Sequence, residues 1–322
     1  MFNIHDTSEE NSVTLEDRIR DAEMKLFESA GLDADTSFLD LRRTGVRVRV
    51  LSFGRGQPVV LLHGVAVSAA EWTPLLGELA GFRIHAVELP GHGLSDPVAY
   101  RRGEVRGHTM QLIDDLYEAL DLESTPVVGH SLGGMFLLWY AAARPGALRS
   151  LVVVGDPAVA IPGVAVRMPL SLMTVPVVGQ AMLRSPSSRA LFRRLLAMAL
   201  GRPAAAAASN ELLDALRLAG RRPSNARTVA ALMHAINGFR RSRPESVMSA
   251  GELGRITVPT LFVWGTEDVY LAPGDARPWI EKMPAATLHE VPGGHAPWFD
   301  DAAGCARVIT GHLTRGPAAA RS

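Results

Sequence analysis

The sequence predicts an α/β protein in which helices cover both faces of a mostly parallel sheet. Short runs of β-branched and apolar residues are mostly separated by segments of helix length. One interval of about 90 residues between two of these runs has a helical pattern and no strand, which indicates an insertion. The predicted strands cover residues 46–51, 58–62, 83–88, 125–129, 150–155, 259–264 and 287–291.

The composition is typical of a globular protein with a large core. The chain has 322 residues, 33 basic and 33 acidic side chains, and 47% hydrophobic residues. A formal charge of zero and this apolar content argue against a collagen-like, disordered or nucleic-acid-dominated protein. We therefore expect the partner to be a small-molecule substrate and not a nucleic acid.

The cysteine content and the N-terminal sequence bear on location. Cys305 is the single cysteine, which excludes an internal disulfide, and the acidic N-terminus has no basic segment followed by an apolar one. The longest uncharged apolar stretch, residues 168–183, has 16 residues and contains Pro169 and Pro176. It is too short and too broken to span a bilayer. These features predict a cytoplasmic protein without a membrane span.

Local charge divides the chain into four predicted parts. Residues 1–45 have 11 acids and five bases, and they form an acidic arm whose amphipathic helix begins after the capping residue Thr14. Residues 158–249 have 13 arginines against three acids, and we interpret them as an inserted helical cap. The opposite charges favour docking of the arm on the cap. The core then consists of residues 46–157 and 250–322.

The strongest local signal for chemistry is a serine between a strand and a helix. The sequence Gly129-His130-Ser131-Leu132-Gly133 follows a predicted strand and precedes a segment with a helical pattern. A strand, a sharp turn and a helix form the context in which a nucleophilic serine is presented. Glycines on both sides allow the strand and the helix to approach closely. Ser131 is therefore the predicted nucleophile.

Taken together, four motifs resemble those of the α/β-hydrolase superfamily, in the expected order over about residues 46–315. The motifs are His63-Gly64 after a strand, residues 89–96 similar to the family's Gly-x-Gly-x-Ser loop, Ser131 in the nucleophile elbow, and Gly294-His295 after the last strand. The resemblance implies the α/β-hydrolase fold and no cofactor. It leaves the substrate open, because the superfamily catalyses many reactions.

A nucleophilic serine requires a base, and the base requires an acid that orients it. His295 is the predicted base, because a glycine-rich turn after a predicted strand would present it at the sheet edge. Asp268 is the predicted acid, since its segment resembles the family's Trp-Gly-x-x-Asp sequence. Asp156 remains a rival, because some relatives place the acid after an earlier strand.

The resemblance also implies which amides stabilise the oxyanion. These are the N–H groups of Leu132, directly after the nucleophile, and of Val65, directly after His63-Gly64. The loop has no Gly-Gly-Gly or Gly-Pro-Gly-Ala sequence, so esters of bulky tertiary alcohols and the usual carbon–carbon hydrolase pattern are not favoured. A serine in the elbow argues against haloalkane dehalogenases and epoxide hydrolases. The histidines form no metal-spaced cluster, and no metal is predicted.

Several further residues are candidates for contact with substrate. The early part of the cap is apolar and contains Met168 and Met173, whose flexible side chains suit an apolar acyl or alcohol group. The alternative is that they only pack the cap on the core. Trp298 and Phe299 would line the pocket or anchor the last helix. His63 and Gly64 complete the set, with His63 bracing the oxyanion turn as its alternative role.

These observations predict a cofactor-independent serine hydrolase. It would cleave a carboxylic ester, thioester or lactone with a moderately apolar acyl group through an acyl-enzyme. Relatives with the same triad act as carbon–carbon hydrolases, amidases, perhydrolases or biosynthetic cyclases, and these activities stay open. A small-molecule receptor with slow turnover is the alternative of another class. The oligomeric state is open as well, and a homodimer is one option.

Overall fold

The computed structural model describes residues 13–164, 170–185, 187–239 and 241–314. Within these ranges the chain forms an eight-stranded sheet with the order β1-β2-β4-β3-β5-β6-β7-β8. The strands are β1 (Ala34–Leu41), β2 (Val46–Phe53), β3 (Gln57–Leu62), β4 (Phe82–Val87), β5 (Val127–His130), β6 (Leu151–Val154), β7 (Thr260–Gly265) and β8 (Ala286–Val291).

The sheet is parallel from β4 to β8 and antiparallel at one edge. β2 pairs in antiparallel fashion with both β1 and β4, and every other neighbouring pair is parallel. The predicted α/β class with a mostly parallel sheet is therefore confirmed. Strand β1 was not predicted. It is an edge strand with mostly exposed or half-buried side chains, so its sequence lacks the apolar alternation that marks a half-buried strand.

Helices cover both faces of this sheet. Alternate residues of β3 point to opposite faces, so that Val60 joins one apolar core and Leu61 joins the other. Phe136 from one helix packs in the first core, and Ile309 from another helix packs in the second. The helices are α1 (Leu15–Ser29), α2 (Thr73–Leu76), α3 (Val105–Ala119), α4 (Leu132–Ala143), α5 (Pro176–Arg184), α6 (Arg189–Leu200), α7 (Arg202–Ala207), α8 (Asn210–Ala219), α9 (Pro223–Ile236), α10 (Ala250–Gly254), α11 (Pro273–Ile280) and α12 (Ala302–Leu313).

Five of these helices, α5 to α9, lie between the neighbouring strands β6 and β7. They fall in the segment 158–249 that we interpret as the cap. Met168 lies outside the described residues. Of the arginines in this segment, Arg189 and Arg217 pair with Asp214 on α8, and Arg193 donates to the carbonyl oxygens of Ala205 and Ala208. These arginines therefore hold the helices of the segment together.

Helix α1 begins with a capping box, in which Thr14 and Asp17 bond each other's backbone N–H groups. Its apolar face contains the buried residue Ile19 and packs beside α8. One ion pair, between Glu16 and Arg222 at 2.7 Å, joins α1 to the segment after α8. None of the described helices has the length and hydropathy needed to cross a membrane.

A buried charge cluster joins α1 to the sheet. Arg49 on β2 lies 2.7 Å from Glu23 on α1 and 3.7 Å from Glu88 after β4. Two carboxylates and one guanidinium carry a net negative charge when all are ionised, and all three side chains are buried. Burial therefore raises the pKa of Glu88 to about 7, although Arg49 acts in the opposite direction, and burial also raises the pKa of Glu23.

The raised pKa of Glu88 predicts how stability depends on pH. The folded protein binds this proton more tightly than the unfolded chain, whose carboxyl titrates near 4.5. The stabilisation is complete below about pH 4.5 and is lost as the pH rises through about 7. We expect Glu88→Gln to reduce the change in Tm between about pH 5 and pH 8 by a few degrees.

Thermal unfolding of the wild type and the variant across this range is the measurement. Glu78→Gln is the matched control, because Glu78 is exposed, and it should keep the wild-type slope. Parallel curves for the wild type and Glu88→Gln would contradict the expectation.

Candidate active site

Four neighbouring strands end in residues that can carry chemistry. Ser131 follows β5, Asp156 follows β6 by two residues, Asp268 follows β7, and His295 follows β8. The carboxyl ends of parallel strands meet at the same edge of a sheet, where α/β proteins place their ligands. The structure thus brings the predicted nucleophile, the predicted base and both rival acids to one edge.

Ser131 occupies a sharp turn between β5 and α4. Its backbone has φ 49° and ψ −110°, an unfavourable conformation for a residue with a side chain. The turn is possible because the glycines two residues before and after Ser131 have no side chain, so each can lie in contact with backbone atoms. A Cβ on Gly129 would lie 2.6 Å from the carbonyl carbon of Gly133, and one on Gly133 would lie 2.2 Å from the oxygen of Leu62. This geometry presents the side chain of Ser131 at the start of a helix.

His295 and Asp268 form a buried pair. Nδ1 of His295 lies 2.8 Å from Oδ2 of Asp268, which also accepts from the N–H of Asp156, while Oδ1 accepts from the N–H of Tyr270. Burial raises the pKa of Asp268, but the charge and hydrogen bond of His295 and the two N–H groups outweigh it and hold the pKa below its ordinary value. A carboxylate in this position can orient the imidazole with a hydrogen on Nδ1, which would leave Nε2 free to accept a proton.

The backbone around His295 is held from two sides. Its N–H donates to the carbonyl oxygen of Leu200, the last residue of α6, at 3.0 Å. On the other side, Gly155 lies so close that a Cβ there would be 2.3 Å from the carbonyl oxygen of His295. The histidine loop is therefore fixed between β6 and the inserted segment.

Asp156 differs from Asp268 in its environment. Its backbone N–H supports Asp268, but neither carboxyl oxygen has a hydrogen-bond partner among the described residues. Burial and the nearby charge of Asp268 raise the pKa of Asp156 well above its ordinary value. Of the two rival acids, the structure brings Asp268 and not Asp156 to His295.

The loop after β3 lies beside the serine and is held by a buried glutamate. Oε1 of Glu71 accepts from the N–H of Gly64 at 2.9 Å and lies 3.0 Å from Nδ1 of His130. Glu71 therefore joins the loop that contains Val65 to the residue before Ser131. A Cβ on Gly64 would lie 2.8 Å from His130, so the two segments are in direct contact.

Two neutral histidines brace the same loop. Nε2 of His63 accepts from the N–H of Leu89, and burial lowers its pKa well below the ordinary value. Nε2 of His92 accepts from the N–H of Ala66, whose φ is 62°, and burial lowers the pKa of His92 to about 4. Both imidazoles stay uncharged at neutral pH, so each can accept a backbone hydrogen bond.

A cavity of about 130 Å³ opens at this edge of the sheet. Its wall is mostly apolar and includes both predicted oxyanion residues and the predicted nucleophile. The lining residues are Val65, Ala66, Ser131, Leu132, Asp156, Ala158, Val159, Val164, Met173, Ala199, Met233, Ile236, Asn237 and Tyr270. Within the described ranges, no group of three or more His, Cys, Asp or Glu side chains is placed to hold a metal ion.

The residues predicted to contact substrate are only partly at the cavity. Met173 lines it, whereas His63 and Gly64 lie behind its wall, where they hold the oxyanion loop. Trp298 and Phe299 do not line it either. Trp298 is fully buried, stacks on Trp72 and donates from Nε1 to the carbonyl oxygen of Glu71. The turn that contains Trp298 and Phe299 packs against α2, α7 and α12, which gives the two residues the anchoring position that was the alternative.

The comparison with known protein families agrees with this geometry. A family model described as "alpha/beta hydrolase fold" matches residues 57–302, which is most of the chain. The chain belongs to the α/β-hydrolase family. The predicted superfamily is thereby confirmed, and the protein is a hydrolase-family enzyme.

Two relatives of this α/β-hydrolase have names that describe different reactions. A 2-hydroxy-6-oxononadienedioate/2-hydroxy-6-oxononatrienedioate hydrolase from Cupriavidus pinatubonensis is 28% identical over 270 residues, or 80% of this chain and 84% of that protein. A pimeloyl-[acyl-carrier protein] methyl ester esterase from Chromobacterium violaceum is 27% identical over 266 residues, or 82% of this chain and 97% of that protein.

Solved structures share the fold at lower identity. Carboxylesterase CesB from Bacillus subtilis has a TM-score of 0.74 at 18% identity and covers 94% of this chain and 99% of its own. A 2-hydroxy-6-oxo-6-phenylhexa-2,4-dienoate hydrolase from a Rhodococcus strain has a TM-score of 0.71 at 18% identity, with 88% and 100% covered. At these identities the likeness concerns the fold.

Sequence reasoning missed several residues of this α/β-hydrolase's site. Glu71 was not singled out, because its importance depends on contacts with Gly64 and His130 that are distant in sequence. Asn237 and Tyr270 line the cavity from loops without a motif. For Tyr270, the only available signal was its position near Asp268 in the sequence.

Glu71 generates a prediction about catalysis. We expect Glu71→Ala to lower kcat by about ten- to a hundredfold with a smaller change in KM, because it frees the amide-bearing loop from the serine turn. Glu71→Gln keeps an acceptor for the N–H of Gly64 and should retain more activity. Steady-state kinetics on a short-chain ester is the measurement. Wild-type kcat in Glu71→Ala would show that Glu71 is not a positioning residue.

Proposed function

We propose that this α/β-hydrolase is a cofactor-independent serine hydrolase that cleaves a carboxylic ester, thioester or lactone with a small, moderately apolar acyl group. The observation that carries the proposal is the buried His295–Asp268 pair, with 2.8 Å between Nδ1 and Oδ2, at the sheet edge where Ser131 ends β5 in a strained turn. Nucleophile, base and acid then follow the family's chain order of Ser, Asp and His.

The proposed reaction has two half-reactions, and in each of them His295 first takes a proton and then gives it away. Ser131 attacks the carbonyl carbon while Nε2 of His295 takes its proton, and Asp268 stabilises the imidazolium that forms. The imidazolium gives the proton to the leaving alcohol or thiol. In the second half, His295 takes a proton from water as the water oxygen attacks the acyl carbon, and the imidazolium then returns the proton to Oγ of Ser131 as the acyl bond breaks and the acid leaves.

The negative charge on the carbonyl oxygen is held by two backbone amides in this proposal. Leu132 is the first residue of α4, where no earlier turn of the helix supplies an acceptor and the helix dipole favours an anion. Val65 lines the same cavity from the loop that Glu71 holds. We propose their N–H groups as the oxyanion hole.

The volume of the cavity favours a substrate with a small acyl group. An apolar cavity of about 150 Å³ holds a molecule the size of benzene. At about 130 Å³ the cavity here matches an acyl group of about four to six carbon atoms. The segment 158–249 contributes Met173, Met233, Ile236 and others to the wall, and we propose it as the cap over the site.

A second candidate function is carbon–carbon bond hydrolysis with the same triad. The similarity to the hydrolase from Cupriavidus pinatubonensis favours it. That relative's name describes a dicarboxylate substrate, whereas the wall of this cavity has no Lys or Arg among its described residues. Comparison of kcat/KM for a butyrate ester and for an oxo-dienoate distinguishes the two functions.

The first prediction from this proposal concerns Ser131. Ser131→Ala removes the atom that forms the acyl-enzyme, and we expect kcat on p-nitrophenyl butyrate to fall by about 10⁴- to 10⁶-fold without loss of the fold. A fluorophosphonate probe followed by mass spectrometry should label Ser131 in the wild type and nothing in the variant. More than about a tenth of wild-type activity in the variant would place the nucleophile elsewhere.

Asp268 gives the second prediction. Asp268→Asn cannot stabilise the imidazolium or keep a hydrogen on Nδ1 of His295, and we expect kcat to fall by about 10⁴-fold. The exposed Asp275 on α11 provides the matched control, and Asp275→Asn should keep wild-type kinetics. A loss of less than about tenfold in Asp268→Asn would reassign the acid.

A further inference from the structure

Two residues that line the apolar cavity have buried side-chain oxygen atoms without a hydrogen-bond partner in the described chain. Both carboxyl oxygens of Asp156 and the Oδ1 oxygen of Asn237 are buried and have no hydrogen-bond partner there. Their residues are only 1% and 2% exposed. Both residues line the cavity together with Ser131. One comes from the end of β6 and the other from the end of α9, so the two elements present acceptors to the same space.

Such an arrangement is costly unless a ligand completes it. A buried polar group without a hydrogen bond destabilises a protein by about 1–3 kcal/mol. The fold does not need these oxygens, because Asp156 supports Asp268 through its backbone N–H and not through its carboxyl group. At a cavity wall, a bound molecule can supply the missing hydrogen bonds.

The chemistry of the two residues defines the group that they would bind. Asn237 offers an unpaired acceptor, so the bound group must donate a hydrogen bond. Burial and the charge of Asp268 raise the pKa of Asp156, and a protonated carboxyl group donates one hydrogen bond and accepts another. A hydroxyl group both donates and accepts, whereas an ammonium group only donates. A ligand carboxylate would lie near the charge of Asp268 and be repelled.

We propose that the substrate carries a free hydroxyl group close to its ester carbonyl, and that Asp156 and Asn237 bind this hydroxyl group. The proposal rests on the proposed function, because it takes Ser131 as the atom that attacks the carbonyl. The hydroxyl lies close to the carbonyl because Asp156 and Ser131 follow neighbouring strands and share one small cavity. Asp156 and Asn237 are specificity-determining residues in this view.

The experiment compares matched esters that differ in one hydroxyl group. Methyl 3-hydroxybutyrate against methyl butyrate tests the acyl side, and 2-hydroxyethyl butyrate against ethyl butyrate tests the alcohol side. We expect kcat/KM of the wild type to favour the hydroxylated ester by about tenfold or more in one of the pairs, since a site that hydrogen-bonds a substrate hydroxyl rejects the analogue without it. Equal kcat/KM in both pairs would overturn the proposal.

The variants test the two residues. Asp156→Leu and Asn237→Ala should each reduce the preference to about twofold or less, whereas Asp156→Asn keeps a donor and an acceptor in place and should retain more of it. Asp275→Asn is the control that leaves the preference unchanged. Unchanged preference in both Asp156→Leu and Asn237→Ala would overturn the proposal. If Asp156→Leu does not fold, the wild-type preference and Asn237→Ala still decide it.

Two further measurements separate the competing explanations. Methyl 3-aminobutyrate should be hydrolysed no better than methyl butyrate. A preference for it would show that the site binds an ammonium group and not a hydroxyl group. Fluorophosphonate labelling of Ser131 tests the proposed function independently. If Ser131 is labelled and no hydroxyl preference is found, only this inference fails. If Ser131 is not labelled, both fail.

Discussion

The site depends on a single-residue turn between β5 and α4. Because Ser131 adopts φ 49°, the chain passes from strand to helix without a loop, and Gly129 and Gly133 fill a space in which no side chain fits. The N–H of Gly133 donates to the carbonyl oxygen of His63, so the same turn holds the start of the neighbouring loop. The relative position of the serine and the two proposed oxyanion amides is therefore fixed by backbone contacts.

Two aspartates at one sheet edge show how the surroundings of identical side chains give them different pKa values. Asp268 accepts three hydrogen bonds, so its negative charge is stable although water is excluded. Asp156 accepts none from the described chain, although it is a buried residue that lines an apolar cavity. The charge of the first aspartate also opposes ionisation of the second. The same residue type thus has its pKa lowered at one position of the site and raised at the other.

Much of the fold follows from local sequence, because a parallel sheet buried on both faces requires continuous apolar strands. The central strands β3, β5, β6 and β7 carry that signal. β1 does not, since an edge strand needs fewer apolar residues. Ser131 and His295 lie in motifs with a local reason for their turns. Glu71 and Asn237 have no such motif, and their roles come from contacts across 59 residues to His130 and from the meeting of separate elements in the cavity.

The hydrogen bond from His295 to the carbonyl oxygen of Leu200 ties the histidine to a helix of the inserted segment. Gly294 strengthens this tie, because a Cβ there would lie 2.0 Å from the same oxygen. A displacement of α6 would therefore take this acceptor away from the histidine loop. The position of His295 is thus mechanically linked to that of the inserted segment.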